Sequence, residues 1–162
     1  MRLQRATGTW VIIGSFFLAI MLNIWPFPFD LGWFAPRWIP LVLIYWVVAL
    51  PHRVGIFSGW LLGIFMDLID GSLLGQNALA LSVVAYILLV MYQRMRMYDV
   101  WQQACVVFVL VGVDQLLCYW VMSITGVAFN DMSFLISALV SALVWPWIWL
   151  FLQQVTEVFD VT

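Results

Sequence analysis

Lysine is absent from this chain, and charged residues make up only 9% of its 162 positions, against about 25% in a soluble domain. Hydrophobic residues account for 66%, where roughly 45–50% is usual. A fold of this size in water could not cover itself with so few charges, so most of its surface must face lipid. The expected class is an all-α polytopic membrane protein forming one integral domain, with no length left for a separate soluble module. A net charge of −2 without any Lys also excludes nucleic acid as a partner, because displacing counterions from phosphates needs clustered basic residues.

The apolar runs predict about six transmembrane helices, over residues 10–25, 38–50, 54–69, 77–92, 100–125 and 133–152. The first follows Arg2 and Arg5 in the manner of a secretory leader. Asn23, Ile24, Trp25 and Pro26 offer no small-x-small cleavage site, so an uncleaved span is expected. It ends in WPFPFDLGWFAP, whose Pro26, Pro28 and Pro36 cannot continue a helix and whose aromatics suit the headgroup layer. The second and third spans are short. The second, closed by Pro51, covers roughly 20 Å, against a hydrocarbon core of about 30 Å. Joined only by Pro51-His52-Arg53, the two predict a hairpin that thins the bilayer locally, tilts little or sits partly shielded by its neighbours. In the sixth span Pro146 removes an intrahelical bond and predicts a kink, with Trp145, Trp147 and Trp149 anchoring the end of the helix at the interface. Six spans place Arg2, Arg5, Arg53, Arg94 and Arg96 on one side and Arg37 on the other, and that bias predicts both termini in the cytoplasm.

The stretch Leu50 to Leu79 reads as the packing centre. Gly55, Gly59, Gly63, Asp67, Gly71 and Gly75 recur every fourth residue. A face that bare lets two helix backbones approach closely in hydrocarbon. Its partner is either another helix of this chain or the single transmembrane helix of a second protein.

Asp67 and Asp114 are the acids expected at depth. A carboxylate there costs around 2.5–3.5 kcal/mol on insertion scales, so it faces the protein interior and finds a partner. All six arginines fall near predicted span ends. The acids are therefore expected to be neutral or to accept hydrogen bonds from Ser58, Ser72, Asn77 or Tyr119. Asp67 reads as a helix-end group bonding the turn Asp70-Gly71-Ser72, since Asp and Ser readily bond nearby amides. Its alternative role is a proton or cation site. Asp114, in mid-span, stands open between helix-to-helix bonding and a functional site.

Catalysis has little to stand on. His52, beside Arg53, is the only histidine, and without a Cys or carboxylate cluster it reads as an interfacial loop residue rather than a metal ligand. There is no Ser/His/Asp set, no phosphate loop and no Walker Lys, so neither an enzymatic centre nor a cofactor is expected. Cys105 and Cys118 fall in apolar runs and read as small hydrophobic fillers.

Taken in order, Leu50-Pro51-His52-Arg53-Val54, then Asp67-Leu68 with Gly71-Ser72 and Leu74-Gly75, then Trp101-Gln102-Gln103-Ala104, Asp114 and Trp145-Pro146-Trp147 resemble the rod shape-determining MreD family of Gram-negative bacteria across nearly the whole chain. The resemblance implies a multi-pass, non-enzymatic component of the cell-elongation machinery in the inner membrane. It implies binding to the bitopic protein MreC, and through it association with the actin-like MreB filament and the wall synthases of lateral peptidoglycan growth. It also implies a six-helix arrangement resembling the membrane subunits of energy-coupling-factor transporters, a likeness of fold that carries no function with it. Scaffolding is the first reading.

The second reading is a transporter subunit binding a small solute or lipid intermediate between Asn77, Asp114, Gln115 and Tyr119. A third, a proton-coupled channel through Asp114, lacks a second deep ionisable partner.

Overall fold

The computed structural model describes residues 2–25, 35–126 and 133–159, which form six α-helices with no strand among them. They are α1 (Arg2–Ile24), α2 (Trp38–Ala49), α3 (Ile56–Asp70), α4 (Gln76–Met97), α5 (Val100–Ile124) and α6 (Ser133–Val158). The apolar α4, α5 and α6 are each long enough to cross a membrane. At 25 residues, α5 measures about 38 Å. By contrast α2, at 12 residues, covers only about 18 Å.

That short helix is the centre of the bundle. Every residue from Ile39 to Val48 is buried, and α1, α4, α5 and α6 all pack against it. Its sequence, WIPLVLIYWVVA, is apolar on all sides, as suits a helix enclosed by others. The polar tips of its buried Tyr45 and Trp46 are both satisfied. The Tyr45 hydroxyl donates to Thr156 Oγ1 at 2.8 Å, and Trp46 Nε1 donates to Ser15 Oγ at 2.7 Å.

Two expectations are corrected here. The packing centre is α2 rather than the glycine-rich stretch, and α2 and α3 do not close on each other as a hairpin, because α3 packs on α4 instead. The reason lies in length. A helix too short for the bilayer leaves terminal backbone groups at membrane depth, where only protein can satisfy them. At the α2 C-terminus Pro51 has no N–H to give. Arg96, from the end of α4, donates to the Val48 carbonyl at 2.9 Å and the Ala49 carbonyl at 2.7 Å, a cation placed where the helix dipole favours one.

Helix boundaries differ from expectation where charged or polar helix formers extend an apolar run. Thus α1 starts at Arg2, α4 continues through Gln93-Arg94-Met95-Arg96 to Met97, and α6 continues to Val158. Helix α6 runs on through Pro146. Trp145 is not an interfacial anchor. It is fully buried and donates to Gln103 Oε1 at 3.3 Å, while Gln103 Nε2 donates to the Met95 and Tyr98 carbonyls. One amide thus ties α4, α5 and α6 together. Trp147 is exposed. Most of the proline-rich turn after α1, residues 26–34, lies outside the described residues.

Both α1 and α6 pack on α2 with little contact between them. The gap is a cleft of about 580 Å³, walled by Trp10, Gly14 and Leu18 of α1 and by Ile148, Phe151 and Val155 of α6.

Candidate functional site: a buried polar cluster

The turn from α3 to α4 is built around Asp67. Helix α3 ends at Asp70, Gly71 takes φ 62°, and Gly75 caps α4 with φ 101°. Both values lie in the left-handed region that glycine occupies at no steric cost. The turn brings four donors to the Asp67 carboxylate. Ser72 Oγ at 2.9 Å, Asn77 N at 3.0 Å and Asn77 Nδ2 at 3.0 Å bond Oδ1, and Gly75 N at 2.8 Å bonds Oδ2. Two of these are backbone amides at the start of α4, where orphan N–H groups and the helix dipole favour an anion. Both oxygens are occupied within this turn.

The glycines divide between two tasks. A Cβ on Gly59 would lie 2.8 Å from the Leu81 carbonyl oxygen, and one on Gly63 would overlap the backbone of Asn77 and Ala78. Helix α4 therefore lies directly on this face. Gly55 caps the start of α3 with ordinary contact to Leu89. Gly71 and Gly75 are turn residues with open space at their Cβ positions, so they do not belong to the packing face.

Asp114 lies on α5 with 1% exposure and pairs with Arg37, whose Nη2 donates to Oδ2 at 3.2 Å. This overturns the expectation that Asp114 has no deep ionisable partner, although Arg37 stands at a span end, as expected, with its side chain 28% exposed. Arg37 caps the start of α2, and because α2 is short, its first turn meets the middle of α5. The chain leading into it is not helical and is held by α6. Ser137 Oγ donates to the Ala35 carbonyl at 2.8 Å, and Arg37 N donates to Ser141 Oγ at 3.0 Å. Partly buried backbone outside a helix requires such partners.

Asn77 links the two acids. It donates to Asp67 and accepts from Cys118 Sγ at 3.4 Å, one turn along α5 from Asp114. Arg37, Asn77 and Asp114, with Asn23 and Met66, border a space of about 10 Å³, close to the minimum for one water molecule. Arg37 Nε, Asp114 Oδ1, Gln76 Oε1 and Gln115 Oε1 are buried without a bond to another protein group. Tyr119 is exposed and its ring meets Phe134. His52 and Arg53 are exposed in the turn between α2 and α3. No group of three metal-binding side chains occurs among the described residues.

Sequence reasoning missed Arg37, Ser137 and Ser141 as members of this cluster. The signal was legible in part, since Ser137 and Ser141 stand four apart on an otherwise apolar helix and so share one face.

A family model described as rod shape-determining protein MreD matches residues 4–155. The rod shape-determining protein MreD of Haemophilus influenzae (strain ATCC 51907 / DSM 11121 / KW20 / Rd) is 37% identical over 147 residues, spanning 90% of this chain and 91% of that protein. No solved structure matches the chain.

Proposed function

Because the chain belongs to the MreD family of rod shape-determining proteins, we propose that it acts as a non-enzymatic scaffold of cell elongation in the bacterial inner membrane. On this reading it binds the bitopic MreC protein by helix contact within the bilayer. Through MreC it supports lateral peptidoglycan synthesis, with the wall synthases and the MreB filament as further, less direct partners. Both termini lie in the cytoplasm. The capping of α2 by Arg96 supports that orientation, since it brings the Arg53 turn to the same end of the bundle as Arg94 and Arg96, and basic residues mark the cytoplasmic side.

One observation carries the scaffold reading. Most of the polar bonds of the interior join the protein's own helices, and the space beside Arg37 and Asp114, where two of the four unbonded buried atoms lie, is about 10 Å³. A solute site needs several convergent polar groups around a cavity of hundreds of Å³, and the cleft between α1 and α6, which has that size, is walled mostly by apolar side chains. What the protein offers is its outer surface, where Phe17, Phe57, Tyr86, Val109 and Leu143 stand exposed on five helices. The test is affinity purification of the tagged protein from crosslinked membranes in mild detergent, with partners identified by mass spectrometry. A single-span periplasmic coiled-coil protein together with wall synthases is expected. Cytoplasmic ATPases with a multispan coupling subunit would replace this reading with a transporter component.

A further inference from the structure

We infer that the bilayer is pinched beside α3, its polar face drawn down to the turn between α3 and α4, while it keeps its full thickness along α5 and α6. Two short helices meet the membrane differently. Helix α2 is enclosed, and its ends bond other helices. Helix α3, at 15 residues, is about 22 Å long. It packs chiefly on α4 and exposes Phe57, Trp60, Phe65 and Leu68 on its outer side. That apolar face is roughly 8 Å shorter than a hydrocarbon core of about 30 Å.

The turn that ends α3 cannot lie in hydrocarbon. Asp70 is exposed, and so are Gly71, Leu73, Leu74 and Gly75. Of the last four carbonyls of α3, that of Asp67 accepts from the amides of Gly71 and Ser72. Those of Leu68, Ile69 and Asp70, and the amides of Leu73 and Leu74, meet no protein partner among the described residues. Exposed non-helical backbone beside an exposed carboxylate needs water or headgroups. At the other end of α3, exposed His52 and Arg53 mark the opposite interface, so the short span is bounded from both sides.

The level of the turn follows from its bonds. Asn77, which holds Asp67, accepts from Cys118 of α5. From Cys118, α5 runs on to Ile124, about 9 Å further, and exposes Trp120 and Ile124 there. Beside it, on the far side of the Ser141 bond to Arg37, α6 exposes Leu135, Ile136 and Leu139. Those side chains need lipid at a level where α3 has already ended. A bilayer of even thickness cannot serve both sides of the protein, and bilayers meet such a mismatch by thinning locally, at a modest cost per ångström.

The test uses the full chain carrying Cys105→Ser and Cys118→Ser, with single cysteines introduced at exposed positions. The readout is the rate of reaction with a charged, bilayer-impermeant maleimide in lysed membranes that open both faces. A thiol in hydrocarbon stays un-ionised and out of the reagent's reach. Leu73→Cys and Leu74→Cys should react within about tenfold of Gly126→Cys, just past the end of α5, and Leu116→Cys and Trp120→Cys at least roughly a hundredfold more slowly. Two positions at each level keep the comparison intact if one variant fails to accumulate. Turn cysteines as slow as the α5 pair would put the turn in hydrocarbon and overturn the inference. So would α5 cysteines as fast as the turn pair, which would mean that the membrane face runs level across the protein.

Discussion

Replacing Gly63 with alanine should loosen the contact between α3 and α4, and two other glycines of this chain supply the controls. A Cβ at Gly63 would overlap the backbone of Asn77 and Ala78, one at Gly59 would press on the Leu81 carbonyl at 2.8 Å, and one at Gly14, inside α1, would meet nothing within 4 Å. Every Gly→Ala change inside a helix gains up to about 1 kcal/mol from helix propensity. Against this stands the cost of overpacking, typically about 1–3 kcal/mol and at the upper end where the obstruction is backbone. The net expectations are a gain of up to about 1 kcal/mol for Gly14→Ala, near balance or a loss of about 1 kcal/mol for Gly59→Ala, and a loss of about 2 kcal/mol or more for Gly63→Ala. Thermal unfolding of the detergent-solubilised variants, followed by loss of the monodisperse peak in size-exclusion chromatography, reads the order directly. If Gly63→Ala were as stable as Gly14→Ala, the close approach of α4 to the glycine face would be wrong.

Other expectations follow from single side chains. Asp67→Ala removes the acceptor of two backbone amides and two side-chain donors. It should cost on the order of 3 kcal/mol, since bonds to a charged acceptor contribute about 1.5–3 kcal/mol each and do not add fully; Asp67→Asn should cost less, and the same unfolding assay checks both. Arg96→Ala leaves the Val48 and Ala49 carbonyls without their donor and should destabilise by about 1–2 kcal/mol, with Arg96→Lys recovering part of it. Gln103→Leu unties Met95, Tyr98 and Trp145 together; proteolysis of the turn between α4 and α5 should be faster in that variant than in the parent, and an unchanged rate would mean the amide does not hold the turn.

The class of the fold was written in the scarcity of charge, and α2, α3 and α5 lie within about two residues of the runs that hydrophobicity marked out. Which helix would sit in the middle was not written there. In a soluble protein the most apolar helix is the buried one, but in lipid a helix apolar all round can face either way. Only the shortness of α2 and the placement of its terminal bonds show that it is enclosed. The Asp67 turn could be read locally, because its donors lie within ten positions along the chain. The Arg37–Asp114 pair joins residues 77 apart, and a one-dimensional count of loop arginines carries no sign that Arg37 meets the middle of α5. The glycine ladder shows the same limit. Its four-residue spacing runs on past the end of α3, so it could not separate Gly59 and Gly63, which meet a helix, from Gly71 and Gly75, which make a turn.

The scaffold account holds that the protein works through its outer helix faces, and site-specific photocrosslinking in living cells tests that most directly. A photoreactive residue would be placed at Phe17, Phe57, Tyr86, Val109 and Leu143 in turn, one exposed position on each outer helix, with Val47 of the enclosed α2 as the silent control. The account predicts that at least one outer face captures a single-span protein with a periplasmic coiled coil, while Val47 captures nothing outside the chain. Adducts to lipid alone at all five positions, from cells of normal rod shape, would contradict it.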